Sequence, residues 1–258
     1  MRRGLPTIRC VTLPLPRLSD DPHAPFPDAA GALHQPDGLL AYGGDLAPGR
    51  LLNAYRHGIF PWYSEGQPIL WWSPDPRMVF RTDGVHLSTR YRRGLRRSTW
   101  VARADTAFDR VIGSCAGIPR GGQSGTWITP AMQTAYRRLH LLGHAHSVEV
   151  FADGDCDAAL VGGIYGVAVG RMFFGESMFS AASGGSTAAL AALARWLHGR
   201  GWPLIDAQVE NAHLLSLGAQ HMPRARFLDA VARLSGQAGT VGSWTVPFGT
   251  LALRDLAG

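Results

Sequence analysis

Two short segments carry the side chains best suited to chemistry. LIDAQ, residues 204–208, reads as a strand, along which side chains alternate faces. Asp206 and Gln208 then share one face, and Ile205 and Ala207 share the other. A carboxylate beside an amide can fix an acceptor and a donor around one reacting centre. The plainer alternative is a polar pair at a strand end, satisfied by a neighbouring loop, and this segment by itself favours it. GESMFS, residues 175–180, follows an apolar strand and sets Glu176 beside Met178 and Phe179. An acid among apolar groups must find a cation or a donor, or take up a proton. An internal ion pair with one of the arginines is the competing account of Glu176.

A third segment, residues 36–77, concentrates Tyr42, Tyr55, Phe60, Trp62, Tyr63, Trp71 and Trp72 among Gly, Pro, Asp and Arg. It has neither the alternation of a half-buried strand nor, over most of its length, the spacing of a helix. Proline fixes φ and glycine permits unusual turns, so the aromatics sit on a stiff, irregular frame. Such platforms suit stacking against nucleobases. A Trp-rich mini-core under long loops accounts for the same residues.

Charge points toward an anionic partner. The 258 residues carry a net charge of +6, and all 25 basic side chains are arginine. A codon bias explains the missing lysine, and guanidinium forks remain well suited to phosphate. Arg90, Arg92, Arg93, Arg96, Arg97 and Arg103 fall between residues 90 and 103 with no acid among them. Such a patch gives salt-dependent, sequence-independent affinity for nucleic acid, and a solvated helix face is the alternative. Cys10, Cys115 and Cys156 form no CxxC pair, which speaks against a disulfide framework or zinc site and suits a reducing cytoplasm. Prolines break the basic N-terminus before any apolar signal-peptide core forms, and no apolar run is long enough for a membrane span.

The elements that must position these side chains can be read in outline. Residues 1–35 are Pro-rich and are expected to drape over the first domain. Pro48 opens a short helix that ends at His57, with Gly58 as its stop. Residues 71–81 allow a strand with a proline interruption. Thr129 caps a helix that Gly143 closes. Strands are expected at 147–151, 160–169, 172–175 and 204–209. Helices are expected at 186–198, 212–217 and 223–234. The second half is thus mixed α-β, built on a sheet.

Eight blocks then carry a resemblance: GLLAYGGDL (38–46), AYRHGIFPWY (54–63), PILWWSPDPR (68–77), GTWIT (125–129), LGHAHSVEV (142–150), GGIYGVA (162–168), GESMFS (175–180) and LIDAQVENAHLLSLGA (204–219). Together and in this order they resemble the leucyl/phenylalanyl-tRNA–protein transferase family. The resemblance implies an α+β fold: a small N-terminal domain, residues 1–80, and an acetyltransferase-like (GNAT) domain with a central mixed sheet, residues 81–258. It implies transfer of Leu or Phe, and Met less readily, from aminoacyl-tRNA to the α-amino group of proteins beginning with Arg or Lys. The product enters a bacterial N-degron route. No cofactor or metal is expected, since an aminoacyl ester is already activated and the usual ligand spacings are absent; a monomer suffices for this chemistry, and a cytoplasmic location is expected.

Carried over residue by residue, Trp62 and Trp127 match tryptophans that contact the terminal adenosine and the esterified amino acid. Tyr55 joins this substrate-binding set. Ile164, Phe173, Met178, Ser180, Leu190, Leu193, Leu197 and Ile205 fall where the family builds its apolar side-chain pocket. Arg90, Arg92, Arg93, Arg96 and Arg97 match its basic tRNA-binding cluster. Asp206 and Gln208 match a pair proposed to act in catalysis, and Glu176 matches an acid near the reacting groups. The acceptor's cation needs an acid, and the sequence does not divide that task between Glu176 and Asp206.

The chain departs from the family at Gly184-Gly185-Ser186-Thr187, where Asn-Ala-Ser-Lys is usual, and at Leu193 and Leu197, where larger aromatics occur. A roomier pocket is therefore expected. SAASGGS followed by a helix also fits an acyl-CoA N-acetyltransferase holding a pyrophosphate, although the Arg or Gln that begins that motif is missing. A non-catalytic RNA- or peptide-binding relative of the same fold is the third alternative.

Overall fold

The computed structural model describes residues 15–117, 127–153 and 159–258. Its first part holds β1 (Arg17–Leu18), β2 (Leu39–Gly43), α1 (Pro48–Arg56), β3 (Phe60–Pro61) and β4 (Leu70–Trp72). Then come β5 (Arg77–Arg81), α2 (Thr89–Leu95), β6 (Val101–Ala104), α3 (Phe108–Gly117), α4 (Pro130–Leu141), β7 (Ala145–Phe151), β8 (Leu160–Val169) and β9 (Met172–Ser180). The chain ends with α5 (Gly185–His198), β10 (Leu204–Gln208), α6 (Ala212–Ser216), β11 (Gln220–Met222), α7 (Arg224–Ser235), α8 (Thr245–Phe248) and β12 (Leu251–Ala252).

Two sheets result. The small one runs β1-β2-β4-β3, and the large one runs β11-β5-β10-β9-β8-β7-β6-β12. In the large sheet β9 and β10 are parallel, and the other pairings are antiparallel. The fold is therefore mixed α-β with a small N-terminal part. β5 belongs to the large sheet and spans residue 80.

Both faces of the large sheet are covered, which is why β7 and β8 are buried along nearly their whole length instead of alternating. One face sends Tyr165, Val167 and Phe174 into a core shared with Leu51, Tyr55 and Trp71 of the N-terminal part and with Phe108, Tyr136 and Phe227. The N-terminal part thus has no core of its own separate from the large sheet. The other face sends Ile164, Phe173 and Ile205 against α5 and the C-terminal tail. α5 is apolar almost all round and buried from Gly185 to Ala194, as a helix enclosed between a sheet and a tail must be. Trp244 of that tail is fully buried, stacked on His146 at 3.7 Å and against Trp196 at 4.5 Å.

The helix ends follow the sequence signals. Thr129 Oγ1 accepts from Met132 N at the start of α4, and Pro48 sits in the first turn of α1. Gly58 ends α1 at φ +68°, and a Cβ there would lie 2.6 Å from Leu228 Cδ2, so the stop is also the place where α7 closes on α1. The Pro-rich leader drapes as expected over residues 15–35: Arg50 donates to Ser19 O and Asp21 O, and Phe26 packs edge-on to Trp71. Residues 1–14, with Cys10, lie outside the described residues, as do Gly125, Thr126 and Cys156. No helix among the described residues is long and apolar enough to cross a membrane.

Candidate active site

The parallel strands β9 and β10 pair at Ile205–Phe173 and Asp206–Phe174, and their pairing ends there. Each strand carries an irregularity at that point. On β9, Gly175 pairs with Gly166 and Ser177 with Tyr165, so Glu176 is the extra residue. On β10, Asp206 pairs with Val79 and Gln208 with Met78, so Ala207 is the extra residue, and Gln208 takes φ +63°. Bulges bend a strand and re-aim its side chains. Here two of them open adjacent strands around a cavity of about 420 Å³.

Glu176 is buried in that wall, and its partners are not arginines. Oε1 accepts from the Tyr55 hydroxyl and from Gln208 Nε2, both at 2.8 Å, and Oε2 accepts from the Tyr136 hydroxyl at 2.8 Å. Burial pushes the Glu176 carboxyl up to about 7, against the pull of the Tyr55 and Tyr136 hydrogen bonds. Burial and the nearby Glu176 raise both tyrosines well above their ordinary value, so they stay protonated donors. The internal ion pair considered for Glu176 does not form. A carboxyl that needs donors has instead recruited two phenols and an amide.

Asp206 is the residue that makes an ion pair. Arg77 Nε and Nη2 reach its two oxygens at 2.8 and 2.7 Å, and both side chains are fully buried. The guanidinium lies between the rings of Phe60 and Phe227, 4.6 and 4.5 Å from their centroids. Asp206 Oδ1 also accepts from Gln208 N at 2.9 Å. The carboxylate thus ties β10 to β5 and holds the backbone of the bulge whose amide side chain reaches Glu176. The strand-end pair is satisfied by a neighbouring strand, where a loop was the alternative.

The cavity walls include many of the residues singled out in the sequence. Trp62, Trp127, Ile164, Glu176, Met178, Leu190, Ile205, Asp206 and Gln208 all line it. Trp62 is fixed from behind, because its carbonyl accepts from Trp72 Nε1 at 2.7 Å. Tyr55 stands one layer back, against Glu176. Phe173, Leu193 and Leu197 are fully buried in the core behind the apolar wall and do not line the cavity. Ser180 is exposed, and its Oγ accepts from Ser186 N and donates to Ser186 Oγ at the start of α5. Residues not singled out also belong here: Arg77 and Tyr136 through the contacts above, and Phe80 and His213 as lining; Phe60, noted among the aromatics, and Ser186, noted at the departure before α5, line it too. Arg77 lies in a block notable for its aromatics. Tyr136 has no local signal, since its role arises only when α4 packs on β7 and the Tyr136 hydroxyl reaches Glu176 on β9.

The arginines lie on and beside α2. Arg90, Arg92, Arg93, Arg96 and Arg97 are all exposed. Arg92 Nε donates to Leu87 O, and Arg96 Nη2 donates to Ala257 O and Gly258 O. The glycines of the SAASGGS turn are not an open cradle. A Cβ on Gly185 would stand 1.9 Å from Val161 O, and one on Gly162 would stand 2.3 Å from Gly185 C. They let the start of α5 press onto β8.

Residues 79–232 match the family described as leucyl/phenylalanyl-tRNA protein transferase, and residues 44–75 match its N-terminal domain. The chain is 69% identical over 239 residues to the leucyl/phenylalanyl-tRNA–protein transferase of Xanthomonas oryzae pv. oryzae strain MAFF 311018, covering 93% of this chain and 94% of that one. It is 62% identical over 239 residues to the protein of the same name from Xylella fastidiosa strain M23, covering 93% of this chain and 97% of that one. Among solved structures, that of L-PGS from Bacillus licheniformis aligns with a TM-score of 0.38 and 12% identity over 77% of this chain and 73% of that one, too slight a likeness to carry an argument.

Proposed function

The chain belongs to the leucyl/phenylalanyl-tRNA–protein transferase family, and on that premise we propose that it moves Leu or Phe, and Met less readily, from aminoacyl-tRNA to the α-amino group of proteins that begin with Arg or Lys. It is an aminoacyltransferase; the acceptor rule and the entry of its product into a bacterial N-degron route are the proposed part. The observation that carries the reading is the make-up of one cavity. It has an apolar wall, two tryptophans, a buried aspartate already paired with Arg77, and a buried glutamate held only by neutral donors, two phenols and an amide. The apolar wall takes the Leu or Phe side chain by area, at roughly 1.5–3 kcal/mol for a fully buried side chain. Trp62 and Trp127 offer faces to the terminal adenosine. Phe173, Leu193 and Leu197 back that wall. Ser180 holds Ser186 on it.

Glu176 takes the acceptor's cation, because the Asp206 charge is already paired with Arg77, whereas the donors to Glu176 are all neutral. A cation there also draws the Glu176 proton off. The attacking α-amine has an ordinary pKa of about 7.7–8.0, so a sizeable fraction is neutral without a strong base. Its nitrogen attacks the ester carbonyl carbon. The carbonyl–ribose oxygen bond breaks, the amine loses one proton and the ribose oxygen gains one. Gln208 donates Nε2 to Glu176, which leaves its carbonyl to accept from the attacking amine. Asp206 acts by holding the Gln208 backbone, and Tyr55 by holding Glu176. Juxtaposition of the two substrates supplies most of the acceleration, since well-oriented reactants gain about 7–11 kcal/mol.

The exposed arginines of the 90–103 segment take the tRNA phosphates, with Arg90, Arg93 and Arg97 pointing to solvent and Arg92 and Arg96 fixed by backbone carbonyls. A mixed sheet with one parallel pair that parts at its end supports the acetyltransferase-like description. The division into residues 1–80 and 81–258 is one of function, since the two parts share a core. A monomer in the cytoplasm completes the reading. The acyl-CoA alternative is disfavoured because the glycine turn that would hold a pyrophosphate is closed against β8.

The test uses tRNA charged with labelled Leu or Phe and two peptides that differ only in an N-terminal Arg or Ala. Label on the Arg peptide alone is expected. Label on both, or on neither, rejects the acceptor rule.

A further inference from the structure

A second cavity, of about 410 Å³, opens on the other side of the turn that leads into α5. Ser183 lines it, while Ser186, three residues on, lines the first cavity. The aromatic residues Tyr91 and Trp100 line it too, with Ser88, Ser98 and Arg90. Among its lining residues there is no acid. The Tyr91 hydroxyl donates to Gly184 O at 2.6 Å, which pins α2 to the turn between the two cavities. Trp100 is half-buried, and its carbonyl accepts from Leu253 N at 2.9 Å. Ser98 Oγ is buried and finds no hydrogen-bond partner among the described residues. A buried hydroxyl without a partner is costly, so a ligand atom that satisfied it would be favoured.

The chemistry of this hollow runs from aromatic and hydroxyl groups to guanidinium. Arg90 lines it, and Arg93 and Arg97 are exposed on the same short stretch. A nucleotide has the complementary layout, with a flat base that stacks and hydrogen-bonds and a phosphate that seeks cations. The volume lies in the range of small-ligand sites. Resting on the aminoacyl-tRNA reading of the first cavity, we propose that the second takes one unpaired nucleobase of the tRNA 3′ end. Trp100 and Tyr91 give the ring contacts, Ser98 Oγ gives the base-edge hydrogen bond and Arg90 meets the phosphate. Single-stranded ends are where proteins read RNA, because their bases can be splayed into such hollows. The turn between the cavities would then carry the strand from one to the other.

The experiment measures equilibrium binding of full-length protein to phenylalanyl-adenosine joined by an unreactive amide. The same ligand is then extended on its 5′ side by one, two and three nucleotides. One extension step is expected to tighten binding about tenfold, within what a single base–aromatic stack is worth. Trp100→Leu and Ser98→Phe should erase that step, Trp100→Phe should keep most of it, and all three should bind the unextended ligand as the parent does. Extension without gain overturns the assignment, as does a gain that both Trp100→Leu and Ser98→Phe retain. Loss of the unextended ligand in both variants marks a structural role and also overturns it. A folded parent protein that fails to bind even the unextended ligand rejects the aminoacyl-tRNA reading itself, and the assignment with it.

Discussion

Glu176 is a buried carboxyl with a pKa near 7, and that makes it testable by pH. Its ordinary value is 4.5, so between about 4.5 and about 7 the folded state holds a proton that the unfolded state releases. This site's contribution to stability therefore falls as pH rises through that window and is flat above it. Glu176→Gln should remove the slope, read as unfolding free energy in urea at a series of pH values. The same titration governs the acceptor. Transfer to an Arg peptide should rise through about pH 7 as Glu176 ionises, with the amine's own deprotonation adding to the rise. Glu176→Gln should cut kcat/KM for the Arg peptide by about thirtyfold or more, as losing one partner of a buried charge pair costs roughly 2 kcal/mol or more. Unchanged kcat/KM would remove Glu176 from the acceptor site. Arg77 and Asp206 call for a different experiment. Arg77→Met leaves a buried carboxylate unpaired and should cost about 3–5 kcal/mol of stability, whereas Arg77→Met with Asp206→Leu should recover most of it. If Asp206 acts by holding Gln208, the double variant will be stable and still slow in a single-turnover assay. A fast double variant would reduce the pair to a structural tie.

The elements place these side chains through irregularities that a periodic reading passes over. Alternation along LIDAQ puts Asp206 and Gln208 on one face, where Asp206 meets Arg77 and Gln208 meets Glu176, while all four residues from Ile205 to Gln208 line the cavity. Alternation does not foresee that Ala207 is an extra residue, that Gln208 takes φ +63°, or that Glu176 is a second extra residue one strand away. Helices with proline or threonine at the start and glycine at the end are legible, because caps are local chemistry. The pattern from Met172 reads as strand only to Gly175, and the strand continues to Ser180. β6, α2 and α3 are not legible as elements. α2 shows why: in TRYRRGL only Leu95 is buried, so no apolar stripe exists, and the helix rests on the Ser88 cap and on Tyr91. The tail after Leu234 gives no signal either, because Trp244 finds its place through distant partners, His146, Trp196 and Trp202. The turn before α5 is the sharpest test at this scale. Gly185→Ala puts a methyl 1.9 Å from a backbone oxygen that cannot move aside without shifting β8. A loss of about 3 kcal/mol or more is expected, at the upper end of overpacking costs, together with weaker discrimination among Leu, Phe and Met, since Ser186 and Leu190 line the cavity from α5. A parent-like midpoint in denaturant would show that the close approach is relaxed in solution.

Across the whole molecule, charge and cavity divide the work of holding a large anionic substrate. The chain carries a net charge of +6, and Arg90, Arg93 and Arg97 stand exposed on one short stretch, with no side-chain hydrogen bond of theirs among the described residues. Arg92 and Arg96 are also exposed but spend donors on backbone carbonyls near α2 and the tail. The first three should therefore supply more of the phosphate contact than the last two. Each phosphate neutralised releases counterions and contributes roughly 0.7–0.9 to the slope of log affinity against log salt. Changing Arg90, Arg93 and Arg97 together to Gln should lower that slope by about 2–3 and weaken tRNA binding at low salt, whatever amino acid is esterified. Transfer at saturating aminoacyl-tRNA should survive, because the reacting groups lie in the first cavity and none of the three lines it. Arg92 and Arg96 changed together to Gln should alter the slope less and lower stability more, as Arg92 ties α2 to Leu87 and Arg96 ties it to the tail. If the second pair changed the salt slope more than the first three, the phosphate track would run along the tail edge of α2. A collapse of transfer at saturation in the triple variant would mean that these cations shape the reacting site as well as capture the tRNA.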